Sequence, residues 1–262
     1  MTLFKILCIS VLLVGCASNT IENKTTTDDM KAEEKNAEAN KMPMEDLQGA
    51  TGAKLNASKN LVKDVLLNEP ANGNATYALA KVYLNDDKRV PAILALSRSL
   101  ILSPKGKSSS VALKDLKRTM DGPVSTSEGS TTITLGLSSD KSDVVDGDFT
   151  MVNTFLALKR ASRTLEENKD KSPRMLFGEE MAGLFSVLQE GEDQSERKGF
   201  VWEYYVPYFV QLHAKGYTET FIDYIHQLPD SRMMGMQLDK SEKFAAFEKW
   251  SNSYKWPTKV SK

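Results

Sequence analysis

Reactive side chains are scarce in this chain, and their spacing leaves few catalytic schemes open. Its 262 residues include two histidines, His213 and His226, and two cysteines, Cys8 and Cys16. Neither histidine belongs to the His-Glu-x-x-His pattern that puts two zinc ligands and a general base on one helix face. The chain has no Gly-x-Ser-x-Gly turn to expose a nucleophile, no phosphate-cradling glycine loop and no dinucleotide fingerprint. His213 lies between an aromatic run and Gly216. There it would serve either as a general base beside the tyrosines or as a partner for a helix C-terminal dipole. Asp140, Asp143, Asp146 and Asp148 are too irregularly spaced for a calcium loop, which draws ligands from alternate residues, and suit turns and helix caps instead. Glu179, Glu180 and the acids of 190–196 fit solvated helix faces. No catalytic residue and no metal ligand emerges, so the expectation is a protein that is not an enzyme. A net charge of −1 also gives no footprint for a nucleic acid.

The N-terminus carries one chemical signal. Lys5 is followed by the apolar stretch Ile6–Val14, too short for a stable membrane-spanning helix of about 20 residues. It ends in Leu13-Val14-Gly15-Cys16, which resembles the bacterial lipobox. The resemblance implies a signal peptide over 1–15, cleavage before Cys16, a diacylglycerol thioether on its sulfur and an acylated amino group. No other cofactor is expected. With Cys8 removed, the mature chain would hold one cysteine and no disulfide. Several acyl chains anchor stably where one does not. Ala17 and Ser18 stand where Asp retains such lipoproteins in the inner membrane, so the resemblance favours the outer membrane, with the body facing the periplasm. Residues 16–49 hold scarcely any large apolar side chain, which suits a flexible tether spanning on the order of 30 Å.

Between 50 and 122 a phrase occurs twice, first as Leu61–Pro70 and again as Ala95–Pro104, with the prolines 34 residues apart. That period and the residue types resemble tetratricopeptide repeats, in which large and small side chains interlock two helices and a proline ends the second. The register puts Leu79, Ala80 and Tyr83 on the first helix and Ala92, Leu96 and Ser99 on the second. Thr76 stands where an aromatic is usual, and Asp86, Asp87 and Lys88 merely suit a loop. Ser58, Val62 and Val65 repeat the second helix upstream, and Ser110–Met120 begins a third unit, closed by Asp121-Gly122-Pro123. The resemblance implies that first helices line a concave groove for an extended peptide or partner helix. Here the groove-facing residues would be Asn74, Tyr77, Lys81 and Asn85.

Residues 123–147 interrupt the pattern. Thr131–Leu137 alternates with period two, as a short strand would, with a partner expected near Val144 and Val145. From 148 to 262 the chain reads as a C-terminal helical bundle. Phe149, Val152, Phe155 and Leu156 share one face, as do Phe177, Met181, Phe185 and Leu188 behind the Ser172-Pro173 start. The run Phe200–Leu212 predicts a helix kinked at Pro207, its aromatics forming either core or a ligand groove. Helices follow over Thr218–Leu228 and Lys240–Tyr254. The repeat register fails over 200–229, where Tyr205, Tyr217 and Tyr224 occupy positions that need small residues.

The sequence therefore predicts an all-α fold of tetratricopeptide-like antiparallel pairs extended by a helical bundle, with a Gly/Ser/Thr-rich insert as loop or short hairpin. The function expected is a membrane-anchored adaptor or scaffold with a protein or peptide partner. Two alternatives stand beside it. One is an envelope hydrolase using His213 or a buried glutamate; the other is a carrier of a small apolar ligand among the C-terminal aromatics.

Overall fold

A computed structural model describes residues 52–106, 108–122, 124–126, 133–135, 146–192, 198–226 and 242–260. Cys16, the segment 1–15, the whole tether and the Val144-Val145 pair lie outside these residues.

The first helices are α1 (Gly52–Asn68), α2 (Gly73–Asn85), α3 (Arg89–Leu102) and α4 (Ser109–Asp121). Each stops where the sequence supplies a stop. Asn68 and Leu102 each precede one of the two prolines by two residues, and a proline cannot continue a helix. Asn72 caps α2 with its side chain accepting from Ala75 N at 2.9 Å. Asp87, at φ 51°, turns the chain from α2 into α3. Gly122 closes α4 at φ 63°, and a Cβ there would lie 2.7 Å from Arg89 Cζ. Arg89 needs that space, because its Nε and Nη2 donate to the Thr119 and Met120 carbonyls at 2.9 and 2.5 Å. A cation on unsatisfied C-terminal carbonyls is stabilising there.

Helix α3 is the spine of the molecule. Every residue from Val90 to Ile101 is buried, so unlike a surface helix it has no polar stripe. It packs against α2 and α4 on one side and against the C-terminal helices on the other. The α2–α3 pair shares the most extensive interface of any two described elements. Ala92 and Ala95 are fully enclosed, and their small size lets neighbouring helices approach closely.

The hairpin of the insert joins β1 (Val124–Thr126) to β2 (Ile133–Leu135), antiparallel, with Ser125 opposite Thr134. The strand expected near residues 131–137 is therefore present over Ile133–Leu135. Its partner among the described residues is the upstream strand β1; Val144 and Val145, the partner expected from sequence, lie outside them. Six residues suffice to connect β1 to β2, a length at which antiparallel pairing forms readily.

The C-terminal bundle comprises α5 (Thr150–Ser162), a 3₁₀ turn (Glu166–Asn168), α6 (Pro173–Glu192), α7 (Phe200–Tyr204), α8 (Val206–Ala214), α9 (Thr218–His226) and α10 (Glu242–Ser253). Asp148 caps the start of α5 through Thr150 N at 2.9 Å. Pro207 breaks the predicted helix into α7 and α8 about Tyr205, since it offers no N–H to the Glu203 carbonyl. The described residues are thus predominantly helical, as the periodicity predicts. None of these helices is long and apolar enough to cross a membrane.

Candidate functional site

A groove lies along α2. The buried residues of α2 are Ala75, Thr76, Tyr77, Leu79, Ala80, Val82 and Tyr83. Helical spacing of three and four residues then carries Asn74, Tyr77, Lys81 and Asn85 along the flank beside α4. Asn74 and Asn85 are exposed, Lys81 is half-buried and Tyr77 is largely buried. The Lys81 Nζ lies 3.3 Å from Asp115 Oδ2 on α4. These two residues stand 34 positions apart, so the period of the prolines is also the spacing of a side-chain contact between α2 and α4. Asp115 takes a second cation, Arg118, at 3.1 Å. Burial, then the Asp115 charge, raises the Tyr77 phenol above its ordinary value.

At the N-terminal end of this flank, Asn74 and Tyr77 line a cleft of about 330 Å³ between α2, the end of α3 and the start of α4. Its other walls include Gly73, Ser99, Leu100, Ser103, Ser108 and Ser109. Gly73 brings α2 so close to α3 that a Cβ would sit 2.7 Å from Ser103 Oγ. Ser109 Oγ donates to the Ser103 carbonyl at 2.5 Å and tightens the turn between α3 and α4. The predicted groove residues Asn74 and Tyr77 thus share one cleft. Lys81 lies further along, tied to α4, and Asn85 stands at the far end of α2. The serines and Asp115 are absent from the sequence-based site. Adding one repeat period to Lys81 finds Asp115, whereas nothing local marks Ser99 as a lining residue.

Other polar clusters join the two halves of the protein. Asp146, fully buried, receives Lys59 at 3.0 Å, Lys63 at 2.5 Å and the Tyr83 hydroxyl at 2.8 Å. Burial by itself would raise the Asp146 carboxyl, but Lys63 and Lys59 outweigh it and hold the group below the usual aspartate range. Lys59 also meets Asp86 at 3.3 Å, which balances the second cation. The next residue, Gly147, has φ 108°, and a Cβ there would lie 2.0 Å from the Trp202 ring. Trp202 stacks on Phe149 at 4.9 Å and donates to the Asp148 carbonyl at 3.0 Å. Arg163 bridges Asp121 on α4, at 2.8 Å, to both oxygens of buried Glu180 on α6. That bidentate pair borders a cleft of about 310 Å³ with Phe155, Leu158 and Lys171. Glu180 is therefore a buried glutamate in a cleft, as the hydrolase alternative requires, but both its oxygens are occupied by the guanidinium.

Arg98, on α3, is buried in an aromatic box. Its guanidinium lies 4.9 Å from the Tyr208 ring centre and 4.8 Å from that of Trp256, and bonds the Tyr208 hydroxyl and Ser251 Oγ. The Trp256 ring meets those of Tyr204, Tyr205 and Tyr208 at 4.7, 6.1 and 4.9 Å, and Tyr204 abuts Tyr205 edge-on at 5.0 Å. Phe200, Trp202, Tyr204, Tyr205, Tyr208 and Phe209 are all buried, so these rings are core. The space that a small apolar ligand would need around Trp202 and Tyr208 is filled by side chains.

His213 sits at the end of α8 with Nε2 3.1 Å from Ser186 Oγ and Nδ1 2.9 Å from Thr218 Oγ1. A nucleophilic scheme would place a carboxylate at Nδ1 and free N–H donors beside the serine. Thr218 occupies the first place, and Ser186 lies inside α6, whose N–H groups serve the helix. His226 contacts the Ile222 carbonyl at 2.7 Å, and burial lowers its pKa. Among the described residues, no group of three or more His, Cys, Asp or Glu converges as a metal site.

Comparison with protein-family models, curated proteins and solved structures returned no match.

Proposed function

We propose that this protein is a lipid-anchored adaptor of the bacterial cell envelope, whose α2–α4 flank binds an extended segment of another protein. In this reading Cys16 carries the diacylglycerol and an N-acyl chain. Residues 16–49 tether the body to the outer membrane on its periplasmic side, and the chain catalyses no reaction and binds no nucleic acid. Helices α2 and α3 form a tetratricopeptide-like unit, with α1 and α4 as partial neighbours.

The observation that supports this best is the cleft shared by Asn74 and Tyr77, continued along α2 by the Lys81–Asp115 pair. It offers amides and hydroxyls for a peptide backbone and a ring for apolar contact. Asn74→Arg fills the open end of the cleft from an exposed position. Pull-down of the intact lipoprotein from its own envelope should lose its partner with this variant while the melting temperature stays constant. Retention of every partner would remove the groove from the account.

A further inference from the structure

Exposed apolar side chains are unevenly placed on this protein. Among the described residues, Met151, Leu158, Leu165 and Met175 are each at least 50% exposed and fall within one stretch, residues 151–175. Val111 on α4 is the one large hydrophobic of comparable exposure outside it. Single exposed hydrophobics are ordinary, whereas a cluster marks a surface that something covers. Met151 and Leu158 stand two turns apart on the same side of α5, with half-buried Phe155 between them. Phe155 and Leu158 share the cleft of about 310 Å³ with Leu176 of α6, beside Met175. Charge decides what kind of cover fits. The stretch carries six lysines and arginines against Glu166, Glu167 and Asp170, although the whole chain has a net charge of −1. Arg160 and Arg163 are engaged by Asp121 and Glu180, and Arg174 by Asp223. The pairs Lys169–Glu166 and Lys171–Glu179 lie at the surface, where ion pairs are worth little and exchange readily. Lys159 has no carboxylate partner among the described residues; its Nζ stands 6.0 Å from the Phe155 ring centre. A lysine that lays its stem along an apolar surface and keeps its ammonium in water suits a boundary between oil and charge. Lysines are depleted at protein–protein interfaces and favoured beside anionic headgroups, so a bilayer fits this mixture better than a protein does.

We propose that the α5–α6 surface around Leu158 is a docking face for an anionic phospholipid bilayer. The exposed apolar side chains enter the headgroup boundary, and Lys159, Lys169 and Lys171 meet phosphates. The proposal rests on the lipid-anchor reading for its strength: a tether on the order of 30 Å holds the face at an effective concentration of roughly millimolar, so a weak contact suffices.

The full-length protein, with isotope-labelled methionine and valine methyl groups, is reconstituted in nanodiscs whose lipids carry a spin label at the headgroup boundary. The discs contain either equal parts of phosphatidylglycerol and phosphatidylcholine or phosphatidylcholine alone. With phosphatidylglycerol the Met151 and Met175 methyl signals should broaden, while Val111, as exposed as they are, stays sharp. With phosphatidylcholine alone all three should stay sharp. Lys159→Gln should lower the ratio of docked to free protein about fivefold, the worth of one lysine at such a surface. Leu158→Asp should abolish the broadening. Equal broadening of Val111, equal broadening on both lipids, or none with phosphatidylglycerol would overturn the face. So would linewidths at Met151 and Met175 that depend on protein concentration without lipid, since a second copy would then be the cover. Mass spectrometry of Cys16 reports on the anchor separately. If Cys16 proves unacylated, the anchor reading falls. Sedimentation of that chain with phosphatidylglycerol vesicles, abolished by Leu158→Asp, would then leave the face standing, and no sedimentation would remove both.

Discussion

A carboxylate buried among two lysines and a tyrosine, as Asp146 is, stabilises the fold only while it is ionised. Its pKa is depressed in the folded protein, so its contribution is present above the unfolded aspartate value of about 4 and lost as pH falls through the folded value. Asp146→Asn leaves Lys59 and Lys63 facing a neutral group, which should cost about 3–5 kcal/mol at neutral pH. In urea unfolding, the gap between wild type and variant should then narrow as the solution is acidified below about pH 4. A constant gap would mean that Asp146 acts through packing alone. Ala92 makes a steric claim at the same scale. It is wholly buried where α3 meets its neighbours, so Ala92→Leu should destabilise the protein by about 1–3 kcal/mol. A neutral result would show slack between helices that the structure packs tightly. Of these residues, Ala92 was legible in the sequence, because a repeat register assigns sizes to positions. Asp146 was legible only as a turn or cap residue. Its partner Lys59 lies 87 residues away, and no local pattern encodes such a meeting.

Helices were read more faithfully than single contacts because their stops are local chemistry. Pro70, Pro104 and Gly122 end α1, α3 and α4 where the sequence predicts, and Pro207 interrupts the aromatic run. The pairing of β2 with β1 was not legible, because period-two alternation marks a strand but not its partner. The aromatic run left core and groove both open, since apolar residues on every side identify burial without saying what buries them. Arg98 within that core was missed for the same reason: a lone arginine in an apolar helix gives no hint of Tyr208 and Trp256. Gly122 offers an element-scale test. With φ 63° and the Arg89 guanidinium where a Cβ would go, Gly122→Ala should loosen the end of α4 and cost roughly 1–3 kcal/mol. Hydrogen exchange should show the last turn of α4 opening first; uniform protection would argue against an Arg89-held terminus.

For the molecule as a whole, the polar joints at Asp146 and Arg163 hold the α1–α4 half against the C-terminal bundle. They leave the α2–α4 flank uncovered by other described elements. Under the proposed lipid anchoring, an open flank of this kind would suit capture of a neighbouring envelope protein. The tether is a separate claim: Cys16→Ser should move the protein from the membrane to the soluble fraction, and unchanged fractionation would assign anchoring to another feature. The groove itself is tested most directly by site-resolved photocrosslinking in intact envelopes. A photoreactive residue is placed at Asn74 or Asn85, and at exposed Leu158 on α5 as the control. The account predicts one discrete adduct, shared by both groove positions and absent from the control. The same adduct from Leu158, or none from either groove position, would contradict it.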